Sequence, residues 1–450
     1  LPCSTTSAPA AQLKLPLIVL PAGSIQLHVK KLANHMKILV FLNALTLGGT
    51  EKAAGYWAAS LSQRGHVVSV ISLTDGPRRA QFELAGLPVQ IVDNSPAAIA
   101  HALNENQPDV MHVHAPGYPH SGDILGVALK HLPKKIPVVQ TNVFGRLNNP
   151  AENAWTDFRL FISWTSCVQA ARRAWRPLDA EFFRRASAAV YPLDSLDPAA
   201  TSEVAAFRRQ HGVTAQEVLF GRLSRPEPNK WTDLALHAFQ RALKKNPKIK
   251  LLLREPPSLV AQKLRASPEA DRYLILPATA DPAELRLTLS AIDVVLHTSL
   301  IGESFGYGIA EPMNLGKPVI THSVPWGDQA QIELVREGEC GFVASAPVIM
   351  AQKILQLAEN SDLWQRLGNQ ARQHIRTIAN PEVSLQRLES ILQAAISGTD
   401  NPFAAEDLAQ AQATGAYLDA HQFGHSWPEQ LALRPFHYRV RFHEFRKRVR

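Results

Sequence analysis

From Met36 onward the chain alternates short apolar runs with stretches of helical spacing, and it does so twice. Lys37-Ile38-Leu39-Val40-Phe41-Leu42 is a continuous apolar run of the kind that makes a parallel strand buried on both faces. Gly48-Gly49 punctuates it, 51–64 repeats apolar residues at helical spacing, and 65–72 is the next strand. Runs at 89–92, 110–114, 137–141, 158–163 and 188–192 continue the series, with helical segments near 96–106 and 121–132. Around Asp194-Ser195-Leu196-Asp197-Pro198 the chain turns polar and resets. A helix near 200–210, a strand at 217–222 and a helix over 232–245 lead to strands at 249–254, 274–276, 294–296 and 318–321. Alternation of this kind gives an α/β fold in which helices cover both faces of a parallel sheet. At 450 residues the chain exceeds what one core serves, so two domains divided near residue 198 are expected. Ligands of open parallel sheets bind at the carboxyl ends of the strands, so two such domains face a common cleft.

The apolar share of 46% and the charged share of 19% are those of an ordinary globular protein. The net charge of +8 gathers at the ends. Residues 434–450 interleave seven Lys or Arg with aromatics against one Glu, which fits an anionic membrane surface as well as a solvated tail. The tail is short and no nucleic-acid-binding module accompanies it, so nucleic acid is not expected as a partner. Cys3, Cys167 and Cys340 are too few and too far apart for a disulfide framework or a metal set, which suits a reducing compartment. The apolar stretch 13–20 is broken by Pro16 and too short to span a bilayer. The expected organisation is a leader over 1–35 that is disordered or precedes the natural start, domains over 36–198 and 199–395, and a basic extension over 396–450. The expected location is the cytoplasm, with peripheral contact at the inner face of the membrane through the tail.

Chemistry concentrates in Gly302-Glu303-Ser304-Phe305-Gly306-Tyr307-Gly308-Ile309-Ala310-Glu311. A strand precedes it and a helix starts inside it, so unpaired N–H groups and the helix dipole point at one anion site. Glu303 then lies in the loop beyond a phosphate and Glu311 about a turn and a half into the helix, an arrangement that suits a ligand with hydroxyls at both ends, such as a nucleotide sugar. The alternative is a solvated helix start whose Glu residues favour the dipole. Gly48 and Gly49 follow the first strand, where paired glycines let backbone approach a ligand, although the dinucleotide spacing G-x-G-x-x-G is absent. Gly221-Arg222 ends a strand of the second half and Lys230 follows eight positions later. Two cations converging there suit a diphosphate, and surface charge is the alternative.

Gly48-Gly49-x-Glu51, Asp109-Val110-Met111-His112-Val113-His114, Gly221-Arg222 with Lys230, and the 303–311 segment, in that order, resemble the retaining glycosyltransferases of family 4. The resemblance spans about 36–395 and implies the GT-B fold of two facing Rossmann-like domains. It implies that Arg222 and Lys230 hold the donor diphosphate, and that Glu303 addresses the donor sugar and Glu311 the ribose. It further implies that N–H groups near Ser304, Phe305, Gly306 and Tyr307 take the phosphate and that Gly48 and Gly49 close the opposite wall. The donor is then a UDP- or GDP-type sugar, the acceptor a glycan or lipid-linked sugar, with no cofactor and no metal. Two positions depart from the family pattern: Asn142-Val143-Phe144-Gly145-Arg146 has no His where many members carry one, so His114 or Asn142 could face that space, a core or strand-end role being the equal alternative for His114, and Trp231 replaces the usual Gly after the Lys. A retaining mechanism needs no acceptor base from the protein, in keeping with the lack of a marked carboxylate in the first half. The rival readings are a nucleotide-sugar epimerase on the same fold and a degenerate member that binds without catalysis.

Overall fold

The computed structural model describes residues 35–118, 123–223, 226–227, 229–279, 281–424, 426, 429–431 and 433–434. The expectations for the leader through residue 34 and for the tail from residue 435 fall outside the described residues. In the first half the apolar runs form β1 (Lys37–Leu42), β2 (Val67–Ser72), β3 (Val89–Ile91), β4 (Val110–Ala115), β5 (Val138–Asn142), β6 (Phe158–Phe161) and β7 (Ala186–Ala188). They pair in parallel in the order β3-β2-β1-β4-β5-β6-β7. The second half supplies β8 (Val218–Leu223), β9 (Ile249–Arg254), β10 (Tyr273–Leu276), β11 (Val294–Leu296), β12 (Gly302–Glu303), β13 (Val319–Thr321), β14 (Asp328–Gln329) and β15 (Gly341–Val343). Six of these make a second parallel sheet, β10-β9-β8-β11-β13-β15, while β12 and β14 pair apart from it.

Both sheets are covered on both faces, which is why most of their strands are predominantly apolar rather than alternating, while the edge strand β3 is exposed at Gln90 and Ile91. In β1, Ile38, Val40 and Leu42 pack with Trp57 and Leu61, while Leu39 and Phe41 point the other way, among Ile99, Leu103 and Leu125. The second sheet divides likewise, with Leu219 and Val295 on one face and Phe220, Val294 and Leu296 on the other. Strand order reverses between β1 and β4 in one sheet and between β8 and β11 in the other. Crevices of this kind are where open α/β sheets take ligands. Gly48 and Gly49 follow β1, Arg222 lies near the end of β8, and His297 follows β11.

The connection 189–217 joins the two sheets, and residue 198 falls inside it. Packing redraws the division expected at 395. The helix Pro381–Ser397 returns to the first sheet: Trp57 Nε1 donates to Ser384 Oγ at 3.1 Å, and Glu389 accepts from Arg64 at 2.6 Å and lies 2.9 Å from His66. Asn380 caps this helix, Pro381 opens it, and Gly398 closes it in the left-handed region at φ 69°. The next helix, Ala404–His421, stays on the first lobe, where Arg387 ties the two helices together through Glu406 and Asp407. Residues 381–421 therefore pack mainly with the first lobe, although Tyr417 also meets Arg336 of the second half. No helix among the described residues is long and apolar enough to cross a membrane.

Candidate active site

The second lobe builds most of the site from the turn between β11 and the helix Tyr307–Asn314. Gly302 sits at φ 73°, where a Cβ would come within 1.6 Å of the Asp328 carbonyl oxygen, so only glycine lets β12 lie against β14. Gly306, at φ 102°, turns the chain into the helix, whose start carries no side-chain cap. Its first N–H groups and dipole therefore face the turn, as an anion site requires.

Glu303 is the charge centre of this turn. Its carboxylate accepts from Lys230 Nζ at 2.8 Å and lies 3.2 Å from His297 Nε2, and its N–H donates to Gln331 Oε1 at 2.9 Å. Burial opposes ionisation, but the hydrogen bond with His297 and the charge of Lys230 outweigh it and hold the carboxyl down at about 2. Lys230 also donates to the Gly302 carbonyl at 3.2 Å, so one ammonium fixes both the glycine and the carboxylate.

Arg222 is placed differently from an open fork aimed at a diphosphate. It is 2% exposed, and its two terminal nitrogens donate to the Thr232 and Thr298 carbonyls, each at 2.9 Å. Trp231, the departure noted in the sequence, covers it: the guanidinium lies 3.8 Å from the indole centroid. Burial lowers its pKa to about 9. Arg222 thus joins the segment around Lys230 to the strand end before Glu303.

The first lobe meets this turn directly. A Cβ on Gly49 would lie 3.2 Å from the Tyr307 ring, whereas one on Gly48 would strike the Glu51 carboxylate. Lys52 pairs with Glu311 and stands 4.7 Å from the Tyr307 ring centroid. Arg78 holds the glycine turn by donating to the Leu47 and Gly48 carbonyls at 3.4 and 3.3 Å. The Tyr307 hydroxyl donates to the Pro192 carbonyl at 3.2 Å. Phe305 is 3% exposed and packs edge-on against Tyr191 and Tyr307, so its side chain serves packing. Ser304 bridges the lobes: its Oγ donates to Asp328 Oδ2 and its carbonyl accepts from Ser163 Oγ, both at 2.7 Å.

Neither residue expected to replace the absent first-lobe His presents itself to this turn. Asn142 spends its amide on its own loop, donating to the Arg146 carbonyl at 2.6 Å and accepting from the Arg146 N–H at 2.9 Å. His114 is 4% exposed, lies 4.4 Å from the His112 ring, and has no hydrogen-bond partner at either ring nitrogen among the described residues. Burial first, and then His112, keep it neutral far below the usual histidine range. His297, Lys52, Arg78 and Asp328 were not singled out from the sequence. His297 stood in view: it ends an apolar run at a strand terminus, as Arg222 does.

Residues 48–220 match the family model described as glycosyl transferase 4-like domain, and residues 216–360 match that of glycosyl transferases group 1. No curated protein matches the chain. Among solved structures, the Anabaena protein Alr3699/HepE in complex with UDP-glucose is 20% identical, with a TM-score of 0.66 over 80% of this chain and all of that one. A glycosyltransferase from Rickettsia africae is 15% identical, at 0.66 over 81% of this chain and all of its own. Sucrose-phosphate synthase from Thermosynechococcus elongatus is 14% identical, at 0.62 with the same coverage. The two facing parallel sheets and these likenesses are those of the GT-B fold.

Proposed function

The chain is a glycosyltransferase of the GT-B type, and on that premise we propose that it transfers a sugar, with retention of configuration, from a nucleotide-sugar donor to a glycan or lipid-linked acceptor. The observation that carries this reading is the Lys230–Glu303–His297 cluster beside the uncapped start of Tyr307–Asn314. A diphosphate seated at that helix start gains its N–H groups and the Lys230 charge, and the same groups stabilise charge as the diphosphate departs. Glu303, kept ionised, accepts hydrogen bonds from donor-sugar hydroxyls. Glu311 takes the ribose, and Arg222 acts as a positioning residue. The acceptor oxygen bonds to the anomeric carbon as the anomeric C–O bond to the diphosphate breaks. The acceptor proton passes to a phosphate oxygen of the leaving group, and attack on the face of departure retains configuration. HepE, solved with UDP-glucose, supports a uridine donor as the first to test.

The test is incubation of the full-length protein with a panel of UDP- and GDP-sugars and glycan acceptors, followed by NMR of the first product formed. An axial anomer from an axial donor supports the reading, whereas an inverted product refutes retention. Donor epimerised without any acceptor would replace transfer by epimerisation.

A further inference from the structure

Glu311, assigned above to the donor ribose, is held in this structure by the opposite lobe. Lys52, in the helix Gly49–Gln63, donates to Glu311 Oε1, and its ammonium stands 4.7 Å from the Tyr307 ring centroid. Tyr307 and Glu311 are four residues apart in the helix Tyr307–Asn314 and so share one face. That face meets the first lobe. A Cβ on Gly49 would lie 3.2 Å from the Tyr307 ring, and the Tyr307 hydroxyl donates to the Pro192 carbonyl at 3.2 Å. Gly49 and Lys52, three residues apart, likewise share a face of their own helix. The ion pair therefore crosses the cleft at the carboxylate a ribose needs.

Two properties suit the pair to parting. Its lysine side chain is 44% exposed, whereas Arg146, which reaches Asp328 across the lobes, is 18% exposed. Exposed ion pairs hold weakly and are screened by salt, so this tie yields before the more buried one. The two hydroxyls of a ribose can donate to the two oxygens of one carboxylate, and an ammonium on Oε1 takes up one of those oxygens and the space beside it. We propose that the Lys52–Glu311 pair is an autoinhibitory latch. Lys52 competes with the donor ribose for Glu311, and donor binding parts the pair and with it one tie between the lobes. This inference rests on the assignment of Glu311 to the ribose.

The experiment is calorimetric titration of the full-length protein with whichever of UDP and GDP binds, and with the 2′,3′-dideoxy form of the same nucleotide, which has no hydroxyls for Glu311. The readout is the ratio of the two affinities, because removing a positive charge near the diphosphate acts on both nucleotides and cancels. Lys52→Met keeps most of the side-chain stem at an exposed position. It should raise the ratio about two- to fivefold over wild type, the strength of an exposed ion pair. A ratio equal to or below that of wild type overturns the latch. Glu311→Ala probes the assignment beneath it: the ratio should fall toward one, and adding Lys52→Met should then change nothing. A ribose preference that survives Glu311→Ala takes the ribose away from Glu311 and defeats that assignment. Binding of neither UDP nor GDP by any of these proteins defeats the donor reading, and the latch with it.

Discussion

Arg222 and Lys230 bring the same charge to the second lobe and are held in opposite ways. Lys230 reaches a carboxylate, while Arg222 donates to two main-chain carbonyls beneath Trp231. Arg222→Ala strands those carbonyls and removes the guanidinium under the indole, so it should cost about 2–4 kcal/mol of stability. Urea unfolding checks this: a lowered midpoint is expected, and an unchanged one would return Arg222 to the role of an open diphosphate ligand. Spacing and strand position made both cations visible as candidates. What spacing does not convey is where a side chain spends its hydrogen bonds, which is why Arg222 and Asn142 read as ligands and fold as braces. His297 went unmarked for a related reason: its meaning comes from Glu303, six residues on, and only the turn brings the two together.

The element that sets the site is the turn 302–306, held by the short β12–β14 pair. Gly302→Ala puts a Cβ against the Asp328 carbonyl in a left-handed conformation, so the pair must part and Glu303 must move. Gly338 shares that conformation at φ 74° but has nothing within 4 Å of an added Cβ, so Gly338→Ala carries the strain without the collision. Gly338→Ala should cost about 1 kcal/mol and Gly302→Ala at least about 2 kcal/mol, with loss of transfer in the second only. Equal unfolding midpoints and equal rates for the two variants would show that the β12–β14 contact does not position Glu303. Most strands of both sheets were legible because burial on two faces leaves continuous apolar runs, but β15 was not among the expected runs and β7 lies at Ala186–Ala188 rather than 188–192. The return of 381–397 to the first lobe was not legible, since an amphipathic helix states that it packs but not on which partner.

At the scale of the whole molecule, histidine burial ties stability to pH. Burial lowers His112 to about 3, His322 to about 3 and His374 to about 4, and His114 falls in the same direction. In the unfolded chain these groups take up protons near their ordinary value of 6.5, whereas in the folded protein they stay neutral. Their contribution is therefore present above pH 6.5 and is lost as pH falls from there toward 3–4. Urea unfolding at pH 7, 6, 5 and 4.5 should show a steadily falling midpoint, and a flat profile over that range would contradict the buried neutral histidines. The central claim, however, is that the cleft grips a nucleoside diphosphate through Lys230 and the start of Tyr307–Asn314. Its most direct test is calorimetric titration of UDP and GDP into wild-type protein and Lys230→Ala. Loss of one charge-assisted contact predicts affinity weakened by about ten- to a hundredfold in the variant. Wild-type and Lys230→Ala proteins that bind the diphosphate equally, or neither of which binds it, would contradict the account.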